Sequence, residues 1–404
     1  MKKLLLDIYY VWINELKVVF RDEAVILLFF IVPLAYPVLY SFIYNNETVH
    51  EVKVVMVDES NSALSREFKR KVDATADVKI VGYATDMEEA REALRRKEAY
   101  GIMYIPRDFS KKINTQQQTQ VSLYADMSSL LFYKAMLLSA TEVSLDMGAD
   151  IRVLETGAGS QEQDATTRQT VENEWVTMYN PQNGFASFLV PAILILIIQQ
   201  TLFLGIATIV GTHNDKKRFN IASHTAEGKN VGALKLTIGK AFCYASLYML
   251  ISVWILRVIP YIFKFPQIGD PLTIAAFLMP FILAATFFGM TLSYFCSQRE
   301  FGMMLFVFTS VIFIFISGIS WPWTAIPAPM QAIAYIIPST PGIHGFIKIN
   351  TMGATLPDVW FEYIALWVQA GIYCITATIM YRWWIQNYDP KYKGMLEIKR
   401  LSHK

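Results

Sequence analysis

The chain has 404 residues, of which 54% are hydrophobic, 14% aromatic and 17% charged. Together with a positive mean hydropathy, this composition argues against a soluble globule and indicates an integral membrane protein. The formal net charge is only +2, yet residues 45–180 hold 16 Lys/Arg and 22 Asp/Glu, so this segment is predicted to be a separate, water-facing body.

The N-terminal arm has the pattern of an amphipathic helix. Leu4, Ile8 and Trp12 recur near helical spacing, while Asp7 and Glu15 lie elsewhere around the helix. Such a helix is expected to lie in the plane of the membrane interface. Two lysines and several apolar residues start the chain, but charged residues interrupt them, which argues against a signal peptide.

The segment after the first apolar run alternates short strands with polar helices. Residues rich in β-branched and aromatic side chains predict strands at 52–58, 78–83, 100–106 and 120–126. Helical spacing predicts helices at 62–72 and 86–99, the second capped by Asp86, and a longer helix at about 128–155. Residues 156–167 are predicted to be a flexible linker. The segment is therefore a small α/β unit.

Six apolar runs are long enough to cross a bilayer core of about 30 Å, which needs about 20 residues in a helix. Their charged members, Arg257 and Glu362, lie near the ends, where side chains are expected to reach the headgroups. The fold class is an α-helical polytopic membrane protein with six transmembrane helices, a re-entrant outer-leaflet helix and an inserted extracytoplasmic α/β domain.

The basic residues outside 45–180 divide unequally between two sets of loops. One set holds 17 Lys/Arg, and comprises the arm, residues 212–240, residues 297–302 and the tail after residue 381. The other set holds three. Because short cytoplasmic loops carry the excess of Lys and Arg, both termini are predicted to be cytoplasmic and residues 45–180 extracytoplasmic.

The run from residue 301 to residue 347 has no charged residue, which is too long for one span and just long enough for two. A second crossing would place the basic tail outside, against the charge rule. We therefore predict one crossing up to about Trp321, then a proline-broken segment that re-enters the outer leaflet and contains a short helix, Met330 to Ile337. Broken backbone is costly in lipid, so this segment should be buried in protein or line a cavity.

The predicted segments follow each other without overlap. In chain order they are a cytoplasmic amphipathic interface helix (1–23), span 1 (24–44), the extracytoplasmic α/β domain with its long helix (45–180), span 2 (184–211), a cytoplasmic loop (212–240), span 3 (241–263), span 4 (271–296), span 5 (301–321), a re-entrant Pro-rich segment (322–350), span 6 (359–381) and a cytoplasmic tail (382–404).

No catalytic or metal-binding motif is visible. The five histidines are scattered and no nucleophile motif is present. The sequence IGKA at 238–241 lacks the glycine spacing of a phosphate-binding loop, and Ala follows the Lys where Ser or Thr would bind magnesium. The three cysteines lie far apart in apolar runs and are interpreted as packing residues. The chain is expected to hydrolyse no ATP itself, to bind no cofactor and to have no nucleic-acid partner.

With these features, essentially the whole chain resembles the membrane permeases of type-2 ATP-binding-cassette (ABC) exporters, in the branch with a large extracytoplasmic domain between spans 1 and 2. The motifs that carry the resemblance are LLLDIYYVWINELKVVFRD, VVMVDES, YGIMYIPRDFSKKI, TIGKAF and SGISWPWTAIPAPMQAIAYIIPSTPGIHGFIKIN. One departure is the loop GTHNDKKRFNIASHTAEGKN, which lacks the acidic and basic pattern of many members.

The resemblance implies a multi-pass subunit of a bacterial cytoplasmic (inner) membrane that contacts membrane lipid and dimerises, with itself or with a paralogous permease. It would bind two ABC ATPase subunits, which would hold ATP and magnesium, and in a Gram-negative cell a periplasmic membrane-fusion adaptor as well. The substrate would be a drug-like or lipidic amphiphile, moved outward from the cytoplasm or the inner leaflet.

Candidate residues follow for two roles. The candidates for coupling to the ATPase are Asp215, Lys216, Lys217, Arg218, Glu227, Arg299 and Glu300. Alternatively, the basic cluster only sets topology, and Arg299 and Glu300 pair locally. The candidates for the translocation path or gate are Gln199, Gln200, Gly318, Trp321, Pro322, Pro327 and Pro338. For the two glutamines, hydrogen bonding between helices is the alternative.

Two other functions stay open from the sequence. An ion-coupled secondary transporter is one, although Asp, Glu and His are nearly absent at mid-span and no inverted repeat is evident. A non-transporting membrane scaffold or receptor, binding through its α/β domain, is the other.

Overall fold

A computed structural model describes residues 2–45, 48–157, 159–169, 176–181, 184–215, 232–296 and 298–388. The chain divides into two compact units. We call residues 1–47 with 177–404 the helical unit, and residues 48–176 the α/β unit.

The helical unit has, within the described residues, six helices long and apolar enough to cross a membrane, as predicted. They are span 1 (Glu23–Ile43), span 2 (Phe185–Thr212), span 3 (Ala233–Ile262), span 4 (Pro271–Ser293), span 5 (Arg299–Ile316) and span 6 (Leu356–Ile385). Three further helices are the arm helix (Lys2–Val19), the short helix (Ala328–Ala334) and the buried helix (Ser339–Met352). Span 3 begins within the segment that was predicted to be a loop, because the apolar pattern continues through Lys235 and Lys240.

One end of the helical unit collects the arm helix, the starts of spans 1, 3 and 5 and the ends of spans 2, 4 and 6; we call it the arm end. Arg299 Nη2, at the start of span 5, lies 3.0 Å from Oδ1 of Asp22, which caps span 1. A Cβ on Gly211, near the end of span 2, would lie 2.7 Å from Arg299 Cα. The rings of Tyr294 and Trp383, at the ends of spans 4 and 6, are 5.7 Å apart. Consecutive spans therefore run in opposite directions.

The opposite end of the helical unit joins the remaining ends of the spans. The rings of Tyr44 and Phe185 lie 5.8 Å apart and connect the end of span 1 to the start of span 2. The backbone N–H groups of Ile268 and Gly269, just before span 4, donate to the carbonyl of Asn350 at 2.9 and 3.1 Å. The end of the buried helix therefore lies beside the loop between spans 3 and 4.

Span 2 is the central helix and span 5 the most peripheral one. In their apolar stretches, 94% of the residues of span 2 are buried but only 11% of those of span 5. Spans 1 and 3 each contain one wide π-helical turn, at Leu27–Ile31 and Trp254–Val258. The indole N–H of Trp254 donates to the carbonyl of Leu34 at 3.2 Å, which ties these two irregular helices together.

The segment between spans 5 and 6 differs from its prediction. Its two helices are each too short to cross a bilayer core. The prediction of a single helix from Met330 to Ile337 was wrong, because the short helix ends at Ala334 and a second helix of 14 residues starts at Ser339. Pro341 does not end this buried helix, since it lies in the first turn, where its missing N–H has no intrahelical partner to lose.

The α/β unit contains one four-stranded sheet with the strand order β2-β1-β3-β4. Strand β1 pairs in parallel with β2 and β3, and β4 pairs antiparallel with β3. The elements are β1 (Val52–Asp58), α1 (Ala63–Asp73), β2 (Val78–Ala84), α2 (Met87–Arg95), β3 (Gly101–Ile105), α3 (Phe109–Asn114), β4 (Ser122–Ala125), α4 (Leu130–Thr156) and α5 (Gln161–Arg168). The four predicted strands are all present.

Helices cover both faces of this sheet. Met56 and Met103 pack with Met136 of α4 on one face, and Val55 packs with Ala90 of α2 on the other. Burial on both faces explains why β1 has a nearly continuous apolar sequence instead of an alternating one. Asp86 caps α2 as predicted, by accepting a hydrogen bond from the backbone N–H of Glu89 at 2.8 Å.

The predicted flexible linker contains helix α5. Ser160 accepts a hydrogen bond from the backbone N–H of Gln163, and the Gln163 side chain accepts one from the backbone N–H of Ser160. This reciprocal capping box satisfies two N–H groups that a helix start leaves unpaired. The prediction rested on the Gly-, Gln- and Thr-rich composition of the segment and missed this helix, whose start is indicated by the Ser-x-x-Gln spacing.

Asp58 forms a buried ion pair where β1 ends. Lys69 Nζ lies 2.6 Å from Asp58 Oδ2, and the two side chains are 15% and 5% exposed. The Ser65 hydroxyl donates to the same carboxylate at 2.8 Å, and the backbone N–H groups of Ser60 and Asn61 donate at 3.0 Å. Burial alone would raise the pKa of Asp58, but these donors outweigh it and hold the pKa below its ordinary value.

Candidate functional site

The arm helix is fastened to span 3 by a buried ion pair. Lys240 Nζ lies 3.0 Å from Glu15 Oε2, with the two side chains 5% and 0% exposed. The hydroxyl of Tyr244, one turn further along span 3, donates to the other oxygen of Glu15. Lys240 also lies 5.8 Å from the ring centroid of Tyr381 in span 6, within cation–π distance. The Glu15 carboxylate thus holds the arm helix to span 3, and Lys240 extends the contact to span 6.

Close backbone approach makes this contact between the helices possible. A Cβ on Gly239 would lie 2.7 Å from Val11 Cβ and 3.0 Å from the carbonyl oxygen of Ile8, so only glycine fits there. A second ion pair, Lys235 to Asp7 at 2.8 Å, lies two turns toward the N-terminus of the arm and is more exposed, at 33% and 13%.

These contacts change the interpretation of the arm. Asp7 and Glu15 were expected on the polar side of an interfacial helix, but they lie against span 3, which supplies a lysine for each. The outward face of the arm helix is apolar instead, with Leu5, Leu6 and Tyr9 all more than half exposed.

The start of span 5 has a third acidic partner, Asp22, which follows the arm helix; we call residues 2–22 the arm region. Arg299 pairs with Asp22 at 3.0 Å, and not with Glu300, which is exposed. Neighbouring residues on a helix point in different directions, so the alternative of local pairing between Arg299 and Glu300 is not what the structure contains. Asp7, Glu15 and Asp22 therefore connect the arm region to spans 3 and 5.

The other predicted coupling residues fall at or beyond the limit of the described structure. Span 2 extends as a helix to Asp215, whose side chain is not described. Lys216, Lys217, Arg218 and Glu227 lie outside the described residues.

The two glutamines of span 2 are deeply buried. Gln199 is 1% and Gln200 4% exposed. Neither polar atom of the Gln199 side chain has a hydrogen-bond partner within the described part of the chain, and the same holds for Nε2 of Gln200. Hydrogen bonding between helices, the alternative for this pair, is therefore not present for Gln199 in this conformation.

The first residues after span 5 form a turn that packs against the buried helix. Gly318 has a φ of +81°, a conformation that L-residues with a side chain disfavour. Its neighbour Ser317 accepts a hydrogen bond through its carbonyl from His344 Nε2 at 2.9 Å. The rings of Trp323 and Tyr335 surround His344 at centroid distances of 4.7 and 6.2 Å.

The remaining gate candidates separate by burial. Trp321, Pro322 and Pro327 are exposed, whereas Pro338 is buried directly before the buried helix. The structure therefore brings Gly318 and Pro338 into the protein interior or its margin, and leaves the other three on the surface of the chain.

Glu362 was predicted to reach the lipid headgroups, but it is buried within the protein instead. Its carboxylate accepts from Lys348 Nζ of the buried helix at 2.6 Å, with Glu362 only 6% exposed. The lysine offsets the cost of removing the carboxylate from water. Sequence reasoning missed this pair and the pair of Lys240 with Glu15; for Glu362 the available signal was a single charge within the apolar run 359–381.

Comparisons with known proteins agree with this architecture. A family model for the ABC-2 family transporter protein matches residues 24–379. The linearmycin resistance permease protein LnrN of Bacillus subtilis (strain 168) is 21% identical over 374 residues, which cover 85% of this chain and 91% of that protein. The chain therefore belongs to the ABC-2 transporter family, as a membrane permease subunit.

Proposed function

We propose that this permease exports a drug-like or lipidic amphiphile from the cytoplasm or the inner leaflet, using ATP hydrolysed by separate ATPase subunits. The observation that carries the proposal is the ion-paired layer at the arm end, where Asp7, Glu15 and Asp22 link the arm region to spans 3 and 5. An ATPase that pushed on this end would move several spans together, because the buried pair of Glu15 with Lys240 resists separation and the two more exposed pairs add to it.

The distribution of charge supports an orientation with the arm end in the cytoplasm. Lys17, Arg21, Lys235, Lys240 and Arg299 all belong to this end, as the positive-inside rule requires of a cytoplasmic face. Residues 45–180 follow the end of span 1 and precede the start of span 2, so in this orientation they are extracytoplasmic. The segment between spans 5 and 6 would then enter the membrane from outside.

The exposed face of span 5 supports a dimer. Val307, Phe308, Val311 and Phe315 are all more than half exposed, and a second permease, identical or paralogous, would cover this apolar face. For a homodimer, Val311→Cys should form disulfide-linked dimers in membranes on mild oxidation, whereas Leu250→Cys on span 3, which is even more exposed at 73%, should not. Equal crosslinking of both variants would argue against span 5 as the interface.

Co-expression with candidate ATPases tests the function. The chain is expected to copurify with an ATPase subunit and to make its ATP hydrolysis dependent on this chain in lipid. Inside-out vesicles from the same cells should accumulate a fluorescent amphiphile with ATP and not with a non-hydrolysable analogue. Failure to recruit an ATPase would refute the proposal, and uptake driven by an ion gradient alone would support a secondary transporter.

The similarity to a resistance permease favours export over import, since LnrN is named for resistance to linearmycin. A periplasmic adaptor on the α/β unit in a Gram-negative cell is a further proposal. Copurification from crosslinked cells with and without residues 50–175 tests whether that unit is needed for such a partner.

A further inference from the structure

Among the buried side chains of the helical unit that have polar atoms without a partner, three come from two neighbouring helices. Gln199 belongs to span 2, and Ser339 and Thr340 form the first turn of the buried helix. Their exposures are 1%, 0% and 1%, and among the described residues none of their side chains has a hydrogen-bond partner. Such groups are rare in folded proteins and call for an explanation.

The buried helix runs antiparallel to span 2, and its register brings these groups to one level. Phe346 and Asn350 share a small cavity with Pro191 and Leu194. A Cβ on Gly342 would lie 3.4 Å from Ile195 Cγ2. From this contact, one turn toward the N-terminus of the buried helix leads from Gly342 to Ser339. One turn toward the C-terminus of span 2 leads from Ile195 to Gln199, at the same level.

Span 4 gives the same register independently. A Cβ on Gly342 would lie 2.6 Å from the ring of Phe281, and a Cβ on Gly289 would lie 3.4 Å from Phe203 Cα. Midway between these two contacts, Ala285 of span 4 faces the level of Gln199. Ala285 is fully buried, and its side chain is small.

The depth of the two groups also agrees when it is measured along different helices. With a rise of 1.5 Å per residue, Gln199 lies about 18 Å from the level of Gly211 at the arm end. Along span 5, Ser317 lies about 27 Å from Arg299 at the arm end. His344 bonds Ser317 and so lies at the same level. Ser339 precedes His344 in the buried helix and lies about 7 Å nearer to the arm end. Ser339 is therefore about 20 Å from the arm end, near the middle of a bilayer core of about 30 Å.

The chemistry of this junction suits one kind of ligand group. Spans 2 and 4 and residues 301–347 contain no charged residue, so a bound cation would find no countercharge. The N-terminus of a 14-residue helix carries partial positive charge, and the amide of Gln199 and the two hydroxyls can donate hydrogen bonds. The junction therefore favours a hydrogen-bond acceptor.

We propose that Gln199, Ser339 and Thr340 form a binding site at mid-membrane for the acceptor-bearing end of an amphiphilic substrate, such as a carboxylate, a phosphate ester or a carbonyl. The structure holds this site closed, and separation of the buried helix from span 2 would open it. This inference rests on the proposed transport function and specifies the substrate class. It also gives the unpartnered donors their reason, since a substrate acceptor would accept hydrogen bonds from Gln199 Nε2 and the two hydroxyls.

Photo-labelling of the full chain tests the site. The chain, with and without its copurified ATPase and ATP, would be placed in nanodiscs of zwitterionic lipid. The probe is a long-chain fatty acid with a diazirine next to its carboxyl group, and the matched control is the alkyl amine with the same diazirine. The fatty acid should label peptides that contain Gln199 or Ser339, and Gln199→Leu should reduce this labelling about tenfold, as expected for the loss of a buried hydrogen-bonding group.

Gln200→Leu is the matched control. Gln200 lies on the same face of span 2 as Ala207 and Gly211, which approach span 5, and therefore not on the face of Gln199. This variant should keep the labelling. Gln199→Leu should also leave the amide hydrogen exchange of span 2 and the buried helix unchanged or slower, since no internal hydrogen bond is lost. Equal labelling of wild type and Gln199→Leu, equal labelling by the amine, or faster exchange of these helices in Gln199→Leu would overturn the site. Recruitment of the ATPase is measured on the same samples, so its failure would refute the proposed function separately.

Discussion

Removal of either partner of the ion pair between Glu15 and Lys240 should release the arm helix from span 3. In Glu15→Gln, the ammonium of Lys240 stays in a site where it is only 5% exposed, with no carboxylate beside it. Breaking a buried pair in this way costs about 3–5 kcal/mol. The hydroxyl of Tyr244 can still donate to the new amide, so the lower end of this range is expected.

The arm can be followed locally by amide hydrogen exchange of residues 2–19, measured by mass spectrometry on the chain in nanodiscs. A local measurement is needed because a chain of two units does not unfold in one step. A loss of about 3 kcal/mol corresponds to about a hundredfold loss of protection. Lys240→Met should have a similar effect, and the double variant should lose less than the sum, since no uncompensated charge remains.

The pair between Asp7 and Lys235 provides the matched control on the same two helices. Its side chains are 13% and 33% exposed, so Asp7→Asn should cost about 0.2–1 kcal/mol, or less than about tenfold in exchange. If Glu15→Gln opened the arm no more than Asp7→Asn, or if the effects of Glu15→Gln and Lys240→Met simply added, the buried pair would not hold the arm, and the proposed route of coupling would be refuted.

Three further results are expected. Asp58→Asn should cost about 2–3 kcal/mol of stability in the α/β unit, measured by amide exchange of β1, and Asp108→Asn, at an exposed site, should cost much less. The pKa of Asp58 lies below its ordinary 3.8. The difference in stability between wild type and Asp58→Asn should therefore be complete above pH 3.8 and disappear as the pH falls through the lower pKa of the folded state. Gly318→Ala should speed the amide exchange of the turn after span 5, through about 1–2 kcal/mol of backbone strain, while Gly371→Ala, with open space around it, should not speed the exchange of span 6. Ser160→Ala should cost about 1 kcal/mol of local stability in α5; unchanged exchange there would contradict the capping role.

The features that were predictable are those that depend on local sequence. Membrane thickness sets the length of an apolar helix, so six spans followed from six apolar runs. Strand β1 was visible because β-branched residues cluster between turn signals. Asp86 was recognisable as a cap from its spacing to Glu89. The capping box of Ser160 was equally local, and its omission was an error of weighting.

The buried helix and the arm contacts could not be predicted in the same way. Pro341 and Gly342 suggest a break when they are considered alone, but Pro is tolerated in a first turn, and a Cβ on Gly342 would lie 2.6 Å from the ring of Phe281. Glu15 and Lys240 are far apart in sequence, and nothing local to either one identifies the other. Pairing between distant elements is a property of the tertiary fold.

The positions of charged and unpaired polar groups suggest how the two ends of the mechanism connect. Charges at the arm end are paired between helices, so a force applied there is transmitted to spans 3 and 5 without loss of contact. At mid-membrane, Gln199 has no hydrogen bond to Ser339 or Thr340, so separation of the buried helix from span 2 breaks no bond among these three side chains. A motion that starts at the arm end would therefore meet little resistance from them at this level, and the proposed substrate site lies there.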